Sequence, residues 1–218
     1  MSEVHRVIDE ARERHGRIDV VVSNVCYGLF GAAEELSNQE IDKIIATDLT
    51  GSIQVIRTAL PHMRTQGGGR IIQVPSCGGQ VTFATNGLYH AAKFGIEGFC
   101  ESVAQEVAKF NIGITIVEPG GARTEFRYGS AHVANLMPEY DHVHGFLNML
   151  DPSKGLAAGD PTKMATRMIE SVAIEPTPLR QVFGSQALRD TIARLEGRVS
   201  DYKPQVELAA STDFLVSE

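Results

Sequence analysis

Three residues in this chain carry the groups needed to move a proton at an oxygen atom. Tyr89 and Lys93 lie four positions apart, and Ser76 precedes the tyrosine by thirteen. Positions i and i+4 share one face of a helix, so the lysine ammonium can sit beside the phenol oxygen. A phenol normally ionises near about 10, too high for proton traffic at neutral pH. A nearby positive charge favours phenolate and lowers that value. A serine hydroxyl on the other side can hold a carbonyl or alcohol oxygen. Together the three make an acid/base device suited to a reaction in which a hydride moves at the adjoining carbon.

Tyr-x-x-x-Lys alone is a loose pattern, so the surrounding elements decide its weight. No other tyrosine here has a lysine four residues on. Ser76 follows the apolar run Ile71-Ile72-Gln73-Val74, which reads as a short buried strand over 70–74 and opens into Cys77-Gly78-Gly79. Ligands of open α/β sheets bind beyond the carboxyl ends of strands, where Ser76 would lie.

Further elements alternate in type. An amphipathic helix with Val4, Val7, Ile8 and Ala11 on one stripe precedes a strand over 18–22. Ser37 and Glu40 form a capping-box start for a helix to about Arg64, with Ile41, Ile44, Ile45, Leu49, Ile53 and Ile56 buried and Pro61 a candidate kink. The Tyr89 helix extends to about Phe110, packing Phe94, Phe99, Val103 and Val107, and a strand over 112–117 closes at Pro119-Gly120. Asp160-Pro161 caps a helix striped with Met164, Met168, Ile169 and Val172. A last strand over 179–183 leads to a helix over 187–198 with Leu188, Ile192 and Leu195 buried. Apolar strands separated by helices imply an α/β fold, a parallel sheet covered on both faces.

Several motifs in order resemble the short-chain dehydrogenase/reductase family. The run 18–28 with Asn24 resembles a strand and turn that usually read Asn-Asn-Ala-Gly. Thr47-Asp48-Leu49-Thr50-Gly51 resembles the helix start that usually carries a catalytic asparagine. Ser76, Tyr89 and Lys93 match the catalytic serine, tyrosine and lysine, and 117–124 resembles the Pro-Gly turn and threonine beside the nicotinamide. The resemblance implies a Rossmann-like fold and hydride transfer between NAD or NADP and a carbonyl/alcohol pair in a small molecule. Tyr89 would be the acid/base, Ser76 would hold the substrate oxygen, and Lys93 would lower the tyrosine pKa and bind the nicotinamide ribose. Asp48 would stand in the proton relay. Asn24, Tyr89, Lys93, Pro119, Gly120 and Thr124 would touch the cofactor. It also implies a homodimer or homotetramer through the helices at 40–64 and 89–110.

The departures are informative. Family members begin with a strand, a Gly-x-x-x-Gly-x-Gly turn and a helix that receive the cofactor phosphates. This sequence has no such turn, and Gly67-Gly68-Gly69 reads as a simple loop. About sixty residues, two βαβ units, would be missing, and with them the charges that choose NAD or NADP. The expectation is one incomplete domain over 1–218, with one strand edge and much apolar helix surface exposed. The alternative is a non-catalytic relic that acts only as an oligomerisation or interaction partner. Asp48 in place of asparagine adds a negative charge near Lys93 and partly cancels the lysine's field at Tyr89. Cys26 stands where a glycine would lie against the cofactor, and Pro75 removes a backbone donor before Ser76.

Residues 125–160 differ in texture. Phe126, Tyr128, Met137, Tyr140, Phe146, Met149 and Leu150 are spread among Gly, His, Pro and Asn. They read as a partly helical lid shaping the substrate side, suited to an apolar substrate, or equally as residues packed on the core. Asp141-His142-Val143-His144 is a polar loop rather than a metal site. Residues 199–218 read as a loosely attached tail. A net charge of −7 without basic runs argues against nucleic-acid binding. No apolar stretch approaches membrane-span length. The charged N-terminus does not resemble a signal peptide. Three widely spaced cysteines, Cys26, Cys77 and Cys100, fit reduced thiols in a cytoplasmic protein.

Overall fold

The structure, a computed structural model, describes residues 3–214. After helix α1 (Glu3–His15) come strand β1 (Val20–Ser23) and the short strand β2 (Leu29–Phe30). Helix α2 (Asn38–Ile44) runs through a π-helical turn (Ile45–Gly51) into α3 (Ser52–Gln66), followed by β3 (Gly69–Gln73). Helix α4 (Gly87–Val107) precedes β4 (Ile112–Pro119). Two one-turn helices, α5 (Glu125–Tyr128) and α6 (Asp141–His144), flank β5 (His132–Val133). Helix α7 (Pro161–Ser171), β6 (Arg180–Phe183), α8 (Ser185–Tyr202) and α9 (Val206–Ala210) complete the described chain.

Four strands form one sheet in the order β1-β3-β4-β6, and every pairing is parallel. The register pairs Val21 with Ile71 and Ile71 with Ile114, so alternate residues build one continuous apolar face. Helices α3 and α4 cover that face. Ile56, Ala59 and Met63 from α3 meet Ile96, Cys100, Val103 and Val107 from α4 over Ile71, Ile112, Ile114 and Ile116. Each large aliphatic side chain there contributes about 1.5–3 kcal/mol by leaving water. On the opposite face Met168, Val172 and Phe183 pack on Ile72, Val74 and Val117. Val20 and Val22 share that face by register and stay exposed, 37% and 52% of their surfaces, where β1 forms the sheet edge.

Local chemistry sets the helix starts. The Ser37 hydroxyl accepts from the Glu40 N–H at 3.3 Å, while Glu40 takes the Ser37 N–H at 2.8 Å. Asp160 caps α7 through the Thr162 and Lys163 N–H groups at 2.9 and 3.2 Å. Gly67 ends α3 in the left-handed region at φ +87°, where a side chain would be strained.

Some expectations need correction. The helix expected over 40–64 is interrupted by the π turn that carries Asp48, and it runs past Pro61 to Gln66. Leu188, Ile192 and Leu195 are 46%, 47% and 43% exposed; α8 instead buries Ala187 and Thr191. The apolar stripe of that helix lies beside its contact face rather than on it. Ile169 and Val7 are likewise exposed. Beyond Tyr202, Lys203–Gln205 and α9 are helical with exposed side chains, and 215–218 lie outside the described residues.

Candidate active site

The carboxyl edge of the sheet gathers the chemistry-bearing residues. Asn24 follows β1, Ser76 lies three residues past β3, and Pro119-Gly120 ends β4. Tyr89 sits in the first turn of α4, with Lys93 one turn on. The structure brings Ser76, Tyr89, Lys93 and Asp48 together around one phenol. The Lys93 ammonium lies 5.2 Å from the centre of the Tyr89 ring. It also lies 3.4 Å from Asp48 Oδ2, and both side chains are wholly buried. The π turn widens the helix at the position that aims Asp48 inward, a common use of that distortion.

Asp48 holds two parts of the site. Its Oδ1 accepts the Tyr27 N–H at 3.1 Å, which fixes the loop carrying Asn24 and Cys26. Among the described residues its Oδ2 faces Lys93 but takes no hydrogen bond, nor does Lys93 Nζ donate one. Ser23 Oγ and both amide atoms of Gln73 are buried without partners on the same face. Burial pushes the Asp48 carboxyl up, while the Lys93 charge and the Tyr27 N–H pull it down.

Tyr89 departs from the expected direction. Burial pushes its pKa up, the neighbouring Cys26 and Cys77 sulfurs and the Asp48 carboxyl add to that, and the nearby Ser76 hydroxyl opposes them. Because burial is the largest cause, a lysine beside the ring does not by itself lower the phenol. Ser76 Oγ also accepts the Gly78 N–H at 3.0 Å, which orients the hydroxyl's remaining capacity. Burial pushes the Cys26 and Cys77 thiols up as well.

The four residues expected against a cofactor are less tightly placed. Asn24 and Thr124 are exposed, and Gly120 is fixed through its N–H to Phe183 O at 2.8 Å. They share the carboxyl edge with Ser76, Tyr89 and Lys93 without bonding to them.

The segment 125–160 folds over this edge. Phe126 lies 5.7 Å from the Tyr89 ring, and Phe146 stacks on Phe83 at 5.2 Å. Strand β5 pairs with β2, Leu29 with His132 and Phe30 with Val133. Glu35 is the main fastening. It accepts the Ala32 N–H at 2.6 Å, the Met137 N–H at 2.7 Å and a contact with His144 Nε2 at 2.8 Å. Tyr140 donates to Glu34 at 2.7 Å, and His132 meets Glu40 at 2.8 Å. His144 is thus a tether to Glu35.

Two further groups were not legible in the sequence. Arg180 on β6 pairs with Glu97, Glu118 and Glu101. Gln80 donates to Glu97, and a side chain at Gly79 would collide with that carboxylate. Burial and the nearby Glu118 push Glu97 up to about 7. His90, beside Tyr89, is buried among backbone groups. Only the i, i+4, i+8 spacing of Lys93 and Glu97 from Tyr89 hints that one helix face carries charge inward.

The parallel sheet gathers a serine, a tyrosine and a lysine at its carboxyl edge. The comparisons agree. Residues 1–132 match the short chain dehydrogenase family. Oxidoreductase BOA17 of Botryotinia fuckeliana is 33% identical over 188 residues, 86% of this chain and 69% of its own length. Human 17-beta-hydroxysteroid dehydrogenase type 1 is 30% identical over 184 residues, 81% of this chain and 56% of its own. The crystal structure of a short-chain dehydrogenase from Streptomyces avermitilis superposes with a TM-score of 0.88 at 32% identity, covering 97% of this chain and 76% of that one. The chain belongs to the short-chain dehydrogenase family, whose members are oxidoreductases. No described helix is long and apolar enough to cross a membrane.

Proposed function

We propose that the chain interconverts an alcohol and a carbonyl in an apolar small molecule, with a nicotinamide cofactor, NAD or NADP, as hydride partner. The observation that carries this reading is the buried Lys93–Asp48 pair set against the Tyr89 ring, at the end of the sheet where Ser76 also lies.

The residues present fit the nicotinamide and ribose end of such a cofactor. Lys93 Nζ is buried without a hydrogen bond to the described residues, a donor suited to a ribose hydroxyl. Asn24, Pro119, Gly120 and Thr124 line the same edge and would hold the nicotinamide end. When bound, that group supplies or accepts the hydride.

The chain's own residues do the rest. Ser76 holds the substrate oxygen by hydrogen bond. Tyr89 gives its phenolic proton to that oxygen in reduction and takes it back in oxidation. Lys93 stabilises the phenolate that forms, and Asp48 sets how strongly it does so. Phe126 and Phe146 exclude water over Tyr89 and Phe83 and favour an apolar substrate body. The named human relative is a steroid dehydrogenase, which agrees with that class. Apolar secondary alcohols and their ketones, assayed with both cofactors, test the reading. Turnover by the wild type that falls at least about 100-fold in Tyr89→Phe supports it. Equal turnover in the two proteins refutes it.

A further inference from the structure

Ser76 can act only if the loop that carries it holds still. Residues 76–83 form no strand and only one short 3-10 turn, Cys77–Gly79, so their position depends on side chains reaching in. His90, one residue past Tyr89 on α4, reaches furthest. Its Nδ1 lies 2.8 Å from Gly78 O, and its Nε2 receives the Phe83 N–H at 2.9 Å. An N–H can only donate and a carbonyl can only accept. The ring is therefore neutral, with its proton on Nδ1 and the Nε2 lone pair occupied by Phe83.

We infer that His90 is a positioning residue, a neutral imidazole latch that holds the Ser76 loop against the helix carrying Tyr89. The inference rests on the oxidoreductase reading for its consequence in turnover, and on geometry alone for the latch. Protonating the ring would put a second N–H against the Phe83 N–H and break that bond. Burial pushes the imidazole pKa down, so the latch holds at neutral pH and opens only in acid.

Other groups around the loop do not substitute for it. On α4 the neighbours are Tyr89, Lys93 and Glu97, the last bonded to Gln80. The loop itself contributes Cys77, which feels Asp190 of α8. Arg194 and Arg198 of α8 hold Thr82 Oγ1 at 2.8 Å and Gln80 O at 3.0 Å. Phe83 meets the lid through Phe146. Of all these, only His90 joins the serine end of the loop, at Gly78, to its far end, at Phe83.

Two variants and one spectrum test it. His90→Leu keeps the size but loses both bonds. It should fold, speed amide exchange at Phe83 and lower kcat/KM about tenfold or more. His90→Gln offers an amide donor and an acceptor without a titrating proton. It should recover most of the activity and lose the acid limb of the kcat/KM profile that the wild type shows below the ordinary histidine range. In the wild type, nitrogen-15 NMR of the imidazole at pH 8 should report the proton on Nδ1. An Nε2 proton, or unchanged Phe83 exchange in folded His90→Leu, overturns the latch whatever the activity. An acid limb shared by wild type and His90→Gln overturns its role in turnover. Tyr89→Phe, run alongside, separates the failures: full activity there refutes the oxidoreductase reading, and the NMR and exchange results still decide the latch.

Discussion

Asp48 Oδ2 and Lys93 Nζ face each other at 3.4 Å with both side chains fully out of water. Neither atom makes a hydrogen bond with the described residues, so the pair is held by charge and by the helices that carry it. Asp48 also raises the Tyr89 pKa, the opposite of what Lys93 would do alone. Burial is the largest cause of the raised phenol, and Asp48 adds to it.

Replacing Asp48 by Asn keeps an acceptor for the Tyr27 N–H and removes the negative charge. The uncompensated lysine then favours phenolate. The alkaline-side dependence of oxidative kcat should move to lower pH. Thermal unfolding should show a loss of about 3 kcal/mol from the unpaired buried ammonium. An unmoved pH profile would separate Asp48 from the tyrosine.

Glu97 gives a pH signature of stability. Its folded pKa, about 7, lies above the ordinary carboxylate value, because burial and Glu118 outweigh Arg180 and Gln80. The folded state thus binds its proton more tightly than the unfolded chain does. Its contribution is complete below the unfolded value and declines as pH rises to about 7. Glu97→Gln keeps partners for Gln80 and Arg180 without titrating. Denaturant unfolding between pH 4 and 8 should show a flatter dependence in the variant.

Glu35 ties the segment at 137–144 to the turn after β2. Glu35→Ala leaves the Ala32 and Met137 N–H groups without their acceptor, at about 1–3 kcal/mol each. Amide exchange should accelerate at Met137 and through α6 while the core of α3 and α4 stays protected. A uniform acceleration would mean that Glu35 supports the whole fold.

The sheet and the grouping of Ser76, Tyr89 and Lys93 were legible in the sequence because both rest on local rules. Alternating apolar runs and helical stripes specify β1, β3 and β4, and Tyr89 and Lys93 are neighbours on any helix. The π turn was not legible, since nothing in Ile45–Gly51 breaks helical periodicity. Burial on α8 was misassigned because periodicity shows a stripe but not which neighbour covers it: Leu188, Ile192 and Leu195 are exposed while Ala187 and Thr191 pack inward. Glu35 with His144, and Arg180 with its three glutamates, unite residues separated by as many as 109 positions. Long-range pairings of this kind leave no local pattern. The direction of the Tyr89 shift escaped for a related reason, since burial depends on the folded surroundings rather than on spacing.

Titrating the purified chain with NADPH and NADH, read by nicotinamide fluorescence, tests the central claim most directly. The account predicts saturable binding to the wild type that weakens at least about tenfold in Lys93→Met, a loss of about 1.4 kcal/mol. A folded chain that binds neither cofactor, or binds equally well without Lys93, would contradict it.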